Sequence, residues 1–349
     1  DKCFSVEVCA KGVLDTKLLA RLHPTFCSIP WFDSPALDST AVDRIPSILL
    51  AKRLCGQGHR VLSHVTGRNL EKRRALAVLN SLKDIGVRNV LAVQGGVYLT
   101  VSSGKIRNSL GAFSGVAEGV SKKGRHLLKA DKSKDDSKCD FPYAVDFVKF
   151  IRQNFGDDFC IAVAGYPDKH PMARSMDEDI NYLKEKMLDE HVIPHTFGIR
   201  SSYLATTHFI FHYWLVRPST PGRDFVVTQA SYDFEAFRRF SQLCKTAGVS
   251  APLILGIFIF GSYGSLTAMS KFCRLSIPEE VLTVVAENKD NDAAVREFGI
   301  HHATTLIRKI LRSGDGGFQG FHVFTLNDLG LVEEVLKRLG FLKPPIEYP

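Results

Sequence analysis

IAVAGYPDKHP, residues Ile161 to Pro171, contains a short β-rich apolar run that breaks at Gly165-Tyr166-Pro167 and then delivers Asp168, Lys169 and His170 together. A buried strand that ends at a site reads this way: the apolar run sets position, and the following loop presents aromatic, acidic and imidazole groups. The same beat continues on both sides. Strand-like segments fall at 3–9, 25–31, 61–67, 89–95, 159–166, 224–230, 253–259 and 321–326. Helical patterns separate them, among them 69–85, 143–154, 176–189, 233–247 and 329–339, the last with Leu331, Val335 and Leu339 on one stripe. Eight strands with crossover helices predict an α/β chain closed as a single (β/α)8 TIM barrel over 1–349, with a doubly wound open sheet as the alternative. No GxGxxG follows any strand, which disfavours a Rossmann domain.

Two segments interrupt the alternation. Residues 97–140 follow strand four, which predicts an elongated basic loop on the C-terminal face of the barrel, where active sites lie. Residues 191–222 are rich in aromatics and fall between helix five and strand six, as an insert on the opposite face. His208 and His212 stand four apart there, but no flanking carboxylate or Cys completes a metal site, and none is expected. The net charge of +8 and pI near 9.0 concentrate in Lys122–Lys138. That run is interrupted by acids and lacks aromatics for base stacking, so it reads as a solvated loop and speaks against nucleic acid. Eight cysteines show no metal spacing, and reduced thiols suit an intracellular compartment, the cytoplasm ahead of the mitochondrion. No apolar run approaches the roughly 18 residues of a membrane span. The start at Asp1 without Met or a signal pattern suggests processing or a fragment.

Polar residues at barrel strand ends converge on one mouth. By that rule the candidates are Glu7, His64, Thr66, Gln94, Tyr166, His170, Thr228, Gln229 and Asn327. A lone inward His or Thr is more often a satisfied core group. Glu7 is more pointed, because a carboxylate among the apolar neighbours of SVEVC must be paired or carry a raised pKa. A raised pKa suits a general acid near neutrality.

From about residue 61 onward the chain resembles methylenetetrahydrofolate reductases of the eukaryotic type. The quoted segment carries AGYP-x-x-HP in full, SHVT (63–66) is similar to the family's PHLT strand, and PYAVDFV (142–148) to its NYAVDLV helix start. DINYLKEK (179–186), VTQ (227–229), KDNDAA (289–294) and FHVFTLN (321–327) extend the likeness. The resemblance implies reduction of 5,10-methylenetetrahydrofolate to 5-methyltetrahydrofolate with FAD as cofactor and NADPH or NADH as reductant. It implies Glu7 as catalytic acid and His64, Thr66, Gln94, Gly95, Tyr143, Ala144, Tyr166 and His170 near the flavin. Asp179 and Lys186 would reach its sugar and phosphate end, and Gln229 would contact folate. Asp179 and Lys186 lie seven apart, two helical turns on one face. A homo-oligomer or larger assembly is also expected, and the family's regulatory domain is not expected within this sequence.

Departures accompany the matches. Gly96 stands where the family has Asp, Pro30 where it has Thr, and Asp328 where it has a folate-binding Arg, while LGIFIF (255–260) lacks the family's two prolines. Two alternatives therefore stay open: a non-catalytic relative serving as a structural or binding subunit, and a flavin enzyme with a different carbon substrate.

Overall fold

A computed structural model describes residues 4–31, 41–68, 70–94, 140–187, 225–313 and 318–342. Gly95, Gly96, the loop residues 97–139 and the segment 191–222 lie outside the described residues. Eight parallel strands close into a barrel in chain order, β1 through β8. They are β1 Phe4–Glu7, β2 Cys27–Ile29, β3 Val61–Thr66, β4 Asn89–Val93, β5 Cys160–Gly165, β6 Phe225–Ala230, β7 Leu253–Phe258 and β8 Phe318–Phe324. The helices are α1 Thr16–Leu22, α2 Pro46–Gly56, α3 Lys72–Asp84, α4 Ala144–Phe155, α5 Met176–Met187 and α6 Phe234–Thr246. They continue with α7 Tyr263–Cys273, α8 Glu279–Glu287, α9 Asp292–Arg312 and α10 Leu329–Arg338. Side-chain caps start several of them: Asp233 accepts from the N–H groups of Glu235 and Ala236, and Asn291 from that of Ala294.

Strand alternation produces two cores. Val6, Ile29, Val65, Val90, Ile161, Val163 and Val226 face outward into one large cluster with the helices. Phe26, Leu62, Leu91, Cys160, Ala162, Phe225, Val227 and Ile254 fill the barrel itself. The rings of Phe26 and Phe225, from opposite sides of the barrel, lie 6.0 Å apart, so the lower interior is packed. A third cluster joins Tyr232, Phe258, Phe260, Leu266, Val281 and Phe324, from the ends of β6, β7 and β8 and from α7 and α8. Gly299 lets α9 approach it closely, since a Cβ there would stand 2.0 Å from the Phe260 carbonyl oxygen.

Several boundaries are shorter than the sequence pattern suggests. Pro30, which has no N–H to give, follows β2 at Ile29. β8 stops at Phe324 because Leu326 and Asn327 turn to φ 48° and 69°. Asn327 then serves as a latch: its Oδ1 accepts the Cys9 N–H at 2.8 Å, and its Nδ2 donates to the Cys9 and Lys11 carbonyls. At the β6–β7 seam the register shifts between Val227 and Ala230. There the Thr228 Oγ1 accepts the Gly256 N–H at 2.8 Å, in place of a ladder bond. Asn327 and Thr228 are thus occupied in holding the barrel.

Candidate active site

Glu7 ends β1 on the face that alternates with outward Val6 and Val8, beside Ser28 of β2. It is 6% exposed, and burial raises its carboxyl to about 8, with no counter-charge opposing the shift among the described residues. At neutral pH it is an acid with its proton on. Around it lies a polar layer inside an otherwise apolar barrel. Ser28 Oγ and His64 Nε2 are 2.5 Å apart, and Ser5 Oγ and His322 Nδ1 are 2.8 Å apart. Burial lowers both imidazoles to about 3, so both are neutral. Thr66 follows two residues after His64 and is partly buried at the rim.

A second cluster gathers where β5 hands over to α5. Tyr166 stands edge-on to His170, with ring centroids 4.6 Å apart and an angle of 81°. The His170 N–H donates to Asp179 Oδ2 at 2.8 Å, tying the loop to the first turn of α5. Lys186, two turns on, donates from Nζ to the Ala164 carbonyl at 3.0 Å. Burial lowers the Lys186 ammonium to about 8, and the Asp179 carboxylate opposes that shift. Burial raises the Asp179 carboxyl, while the His170 N–H and the Lys186 charge pull it down. Lys169, at φ 70°, turns the loop and bonds through Nζ to the Ala173 carbonyl.

Beside the β5–α5 cluster lies a small cleft lined by Tyr166, Asp168, Lys169, Gln229, Cys273 and Arg274, among others. Gln229 turns its Oε1 to the Ala230 N–H at 2.9 Å. Gln94, after β4, donates to the Pro142 carbonyl and so joins the β4 end to the start of α4. There Tyr143 is 64% exposed, and the Asp146 carboxylate caps its N–H at 2.9 Å, with Ala144 as the first helical residue. Glu7, His64, Thr66, Gln94, Tyr166, His170 and Gln229 thus all stand on the C-terminal face, with Asp179 and Lys186 behind the β5 loop; Gly95 falls outside the described residues. Among the described residues no group of His, Cys, Asp and Glu could hold a metal ion, and no helix is long and apolar enough to cross a membrane.

His322, Cys273 and Arg274 are absent from the candidates read off strand ends. His322 sits mid-strand, yet period two in FHVF sets it opposite Phe321 and Val323, on the inward face shared with Ser5 and Glu7. Cys273 and Arg274 reach the cleft from the end of α7, and no strand pattern points there. Asp328 does not line the cleft. It caps α10 through the Leu331 N–H and pairs with Arg296 at 3.3 Å.

The known proteins bear on this geometry. A protein from Clostridium thermocellum that binds two copies of 5-methyl-5,6,7,8-tetrahydrofolic acid shares the fold, with a TM-score of 0.54 and 11% identity over 98% of this chain and 96% of that one. Methylenetetrahydrofolate reductase 2 of Schizosaccharomyces pombe is 29% identical over 335 residues, covering 94% of this chain and 42% of the relative. Methylenetetrahydrofolate reductase (NADH) 1 of Arabidopsis thaliana is 26% identical over 338 residues, 90% of this chain and 45% of its own. A probable methylenetetrahydrofolate reductase (NADPH) of Caenorhabditis elegans is 26% identical over 88% of this chain and 36% of its own. The chain thus spans less than half the length of these relatives. The model of the family Methylenetetrahydrofolate reductase matches residues 112–190 and 214–340, more than half of the chain. With the closed barrel and the buried acid at its mouth, this match makes the chain a member of the methylenetetrahydrofolate reductase family.

Proposed function

We propose that this barrel is an FAD-dependent reductase that converts 5,10-methylenetetrahydrofolate to 5-methyltetrahydrofolate at the expense of NADH or NADPH. The observation that carries the proposal is Glu7, a carboxyl held protonated to about pH 8 by burial at the mouth of a family barrel. The donor set at β5–α5 fits the cofactor. Lys186 bears a charge made costly by burial, with Asp179 as its nearby counter-charge, so an anion such as a phosphate beside it would be favourable. Asp179 can accept from ribityl hydroxyls with the carboxylate oxygen that the His170 N–H leaves over. When bound, FAD would supply the two-electron chemistry that side chains lack.

The chain's own residues do the rest. Glu7 gives its proton to the folate nitrogen that leaves when the methylene bridge opens, and regains one from solvent. Ser28 orients His64, and Tyr166 and His170 brace each other, so the face presented to the flavin is rigid. Gln229 lines the same cleft as Tyr166, and there its amide can read the folate. The relatives' names include both NADH and NADPH. These relatives are reductases, and none favours a purely structural subunit. The test is a visible spectrum of the purified protein followed by anaerobic NADH or NADPH. A flavin band that bleaches and then recovers with methylenetetrahydrofolate supports the proposal; a protein that stays colourless in excess FAD overturns it.

A further inference from the structure

His322 is fully buried inside the barrel, and its Nε2 has no hydrogen-bond partner among the described residues. Its ring cannot swing to find one. Phe26 stacks on it at 6.0 Å and 11°, Phe324 meets it edge-on at 4.9 Å and 85°, and Ser5 Oγ holds Nδ1 at 2.8 Å. Whichever tautomer forms, one polar atom of the imidazole remains unpaired: an N–H if Ser5 donates to Nδ1, a lone pair if Nδ1 donates to Ser5. A buried polar atom left this way costs free energy, and an internal water is the usual partner. The acid of the proposed reaction is close by. Ser5 is the register partner of His322, and Glu7 lies two residues beyond it on the same face of β1, roughly 7 Å along the strand.

We propose that His322 is a positioning residue for Glu7: its Nε2 holds one internal water, whose other hydrogen bond goes to the Glu7 carboxyl. The water donates to Nε2 and to Glu7, and Nδ1 donates to Ser5. His322 thereby fixes the direction of the acid while staying out of contact with substrate. The inference rests on Glu7 being the acid of the proposed reductase. The titratable groups facing this layer are Glu7 at the end of β1, Cys9 just after it, His64 from β3, Cys160 from β5 and Cys273 from the end of α7. Toward the same interior β2, β4, β6 and β7 present Ser28, Leu91, Val227 and Ile254, which do not titrate there.

The experiment follows the Glu7 carboxyl by infrared difference spectroscopy across pH in the full chain, its band assigned by loss in Glu7→Gln. A water that donates to Glu7 favours the carboxylate, so its loss raises the pKa. In His322→Phe the Glu7 transition should move up by about one pH unit, the worth of one hydrogen bond to a charged group. His322→Gln, whose amide can keep the water, should restore most of it. In the unmutated protein, ¹⁵N spectra should show His322 Nε2 hydrogen-bonded. An unmoved Glu7 transition in folded His322→Phe, or a free Nε2 in the unmutated protein, overturns the inference. None of these signals needs turnover, so a failed folate assay with a shifted Glu7 would sink the reductase proposal and leave the hydrogen-bonded link from His322 to Glu7 standing without a catalytic role.

Discussion

The polar layer inside the barrel and the cluster at the β5–α5 junction use the same residue types to opposite ends. Inside, Glu7, His64 and His322 have hydroxyl or no partners, and burial drives all three to their neutral forms. At the junction Asp179 is buried and His170 and Lys186 are half-buried, but backbone groups and each other's charges partner them, and the acid and the lysine oppose each other's shifts. The difference is the one that the proposed roles require, a proton donor beside a cofactor clasp. A donor near neutrality needs a dry site without counter-charges, whereas a clasp for an anion needs charge retained.

The contrast can be broken by substitution. The largest effect belongs to Glu7→Gln, which keeps shape and removes the proton: turnover should fall by about 10²–10⁴-fold while flavin absorbance is retained. Loss of flavin instead would mean that the inner layer also serves as clasp. Asp179→Ala should do the reverse. It frees the His170 N–H and the Lys186 charge, and should weaken FAD binding by about 10–100-fold, measured by flavin titration.

The pH dependence sharpens the same difference. The raised Glu7 pKa makes the folded state hold its proton longer than the unfolded chain, so its contribution is intact below 4.5 and lost as pH climbs to about 8. The two lowered imidazoles act with the other sign: their contribution is intact above 6.5 and lost as pH falls to about 3. The inner layer should therefore favour folding most near pH 6.5, and the fall on the acid side should steepen below 4.5, where the two imidazoles act unopposed. Denaturant midpoints across pH check this, and Glu7→Gln should flatten the alkaline limb and steepen the acid limb between 4.5 and 6.5. Enzymatic rate should also decline as pH rises through about 8, where the acid loses its proton.

Smaller effects mark the edges of the comparison. Ser28→Ala removes the partner of a mostly buried imidazole and should cost about 1–3 kcal/mol in denaturant unfolding. Arg296→Ala breaks a solvent-facing pair with Asp328 and should cost under about 1 kcal/mol, within the scatter of surface pairs.

Much of this molecule is legible in the sequence because strand and helix periods are local. All eight barrel strands lie within two or three residues of where alternating apolar runs put them, and Glu7, alone among apolar neighbours, announces its own burial. The spacing of Asp179 and Lys186 likewise carries over directly onto α5. Asn327 and Thr228 show the limit. Both read as mouth residues by position, yet one latches the β1 loop and the other fills a register shift, roles set by neighbours more than 25 residues away in chain order.

By itself, then, the sequence determined the barrel, the inward face of each strand and the motifs that carry the family likeness, since these depend on periods of two and 3.6 residues and on short segments. Tertiary structure alone decided which inward groups are partnered. Ser5 meets His322 across 317 positions and Ser28 meets His64 across 36. Closure of the ring removes water from them, and only then does a carboxyl keep its proton and an imidazole refuse one.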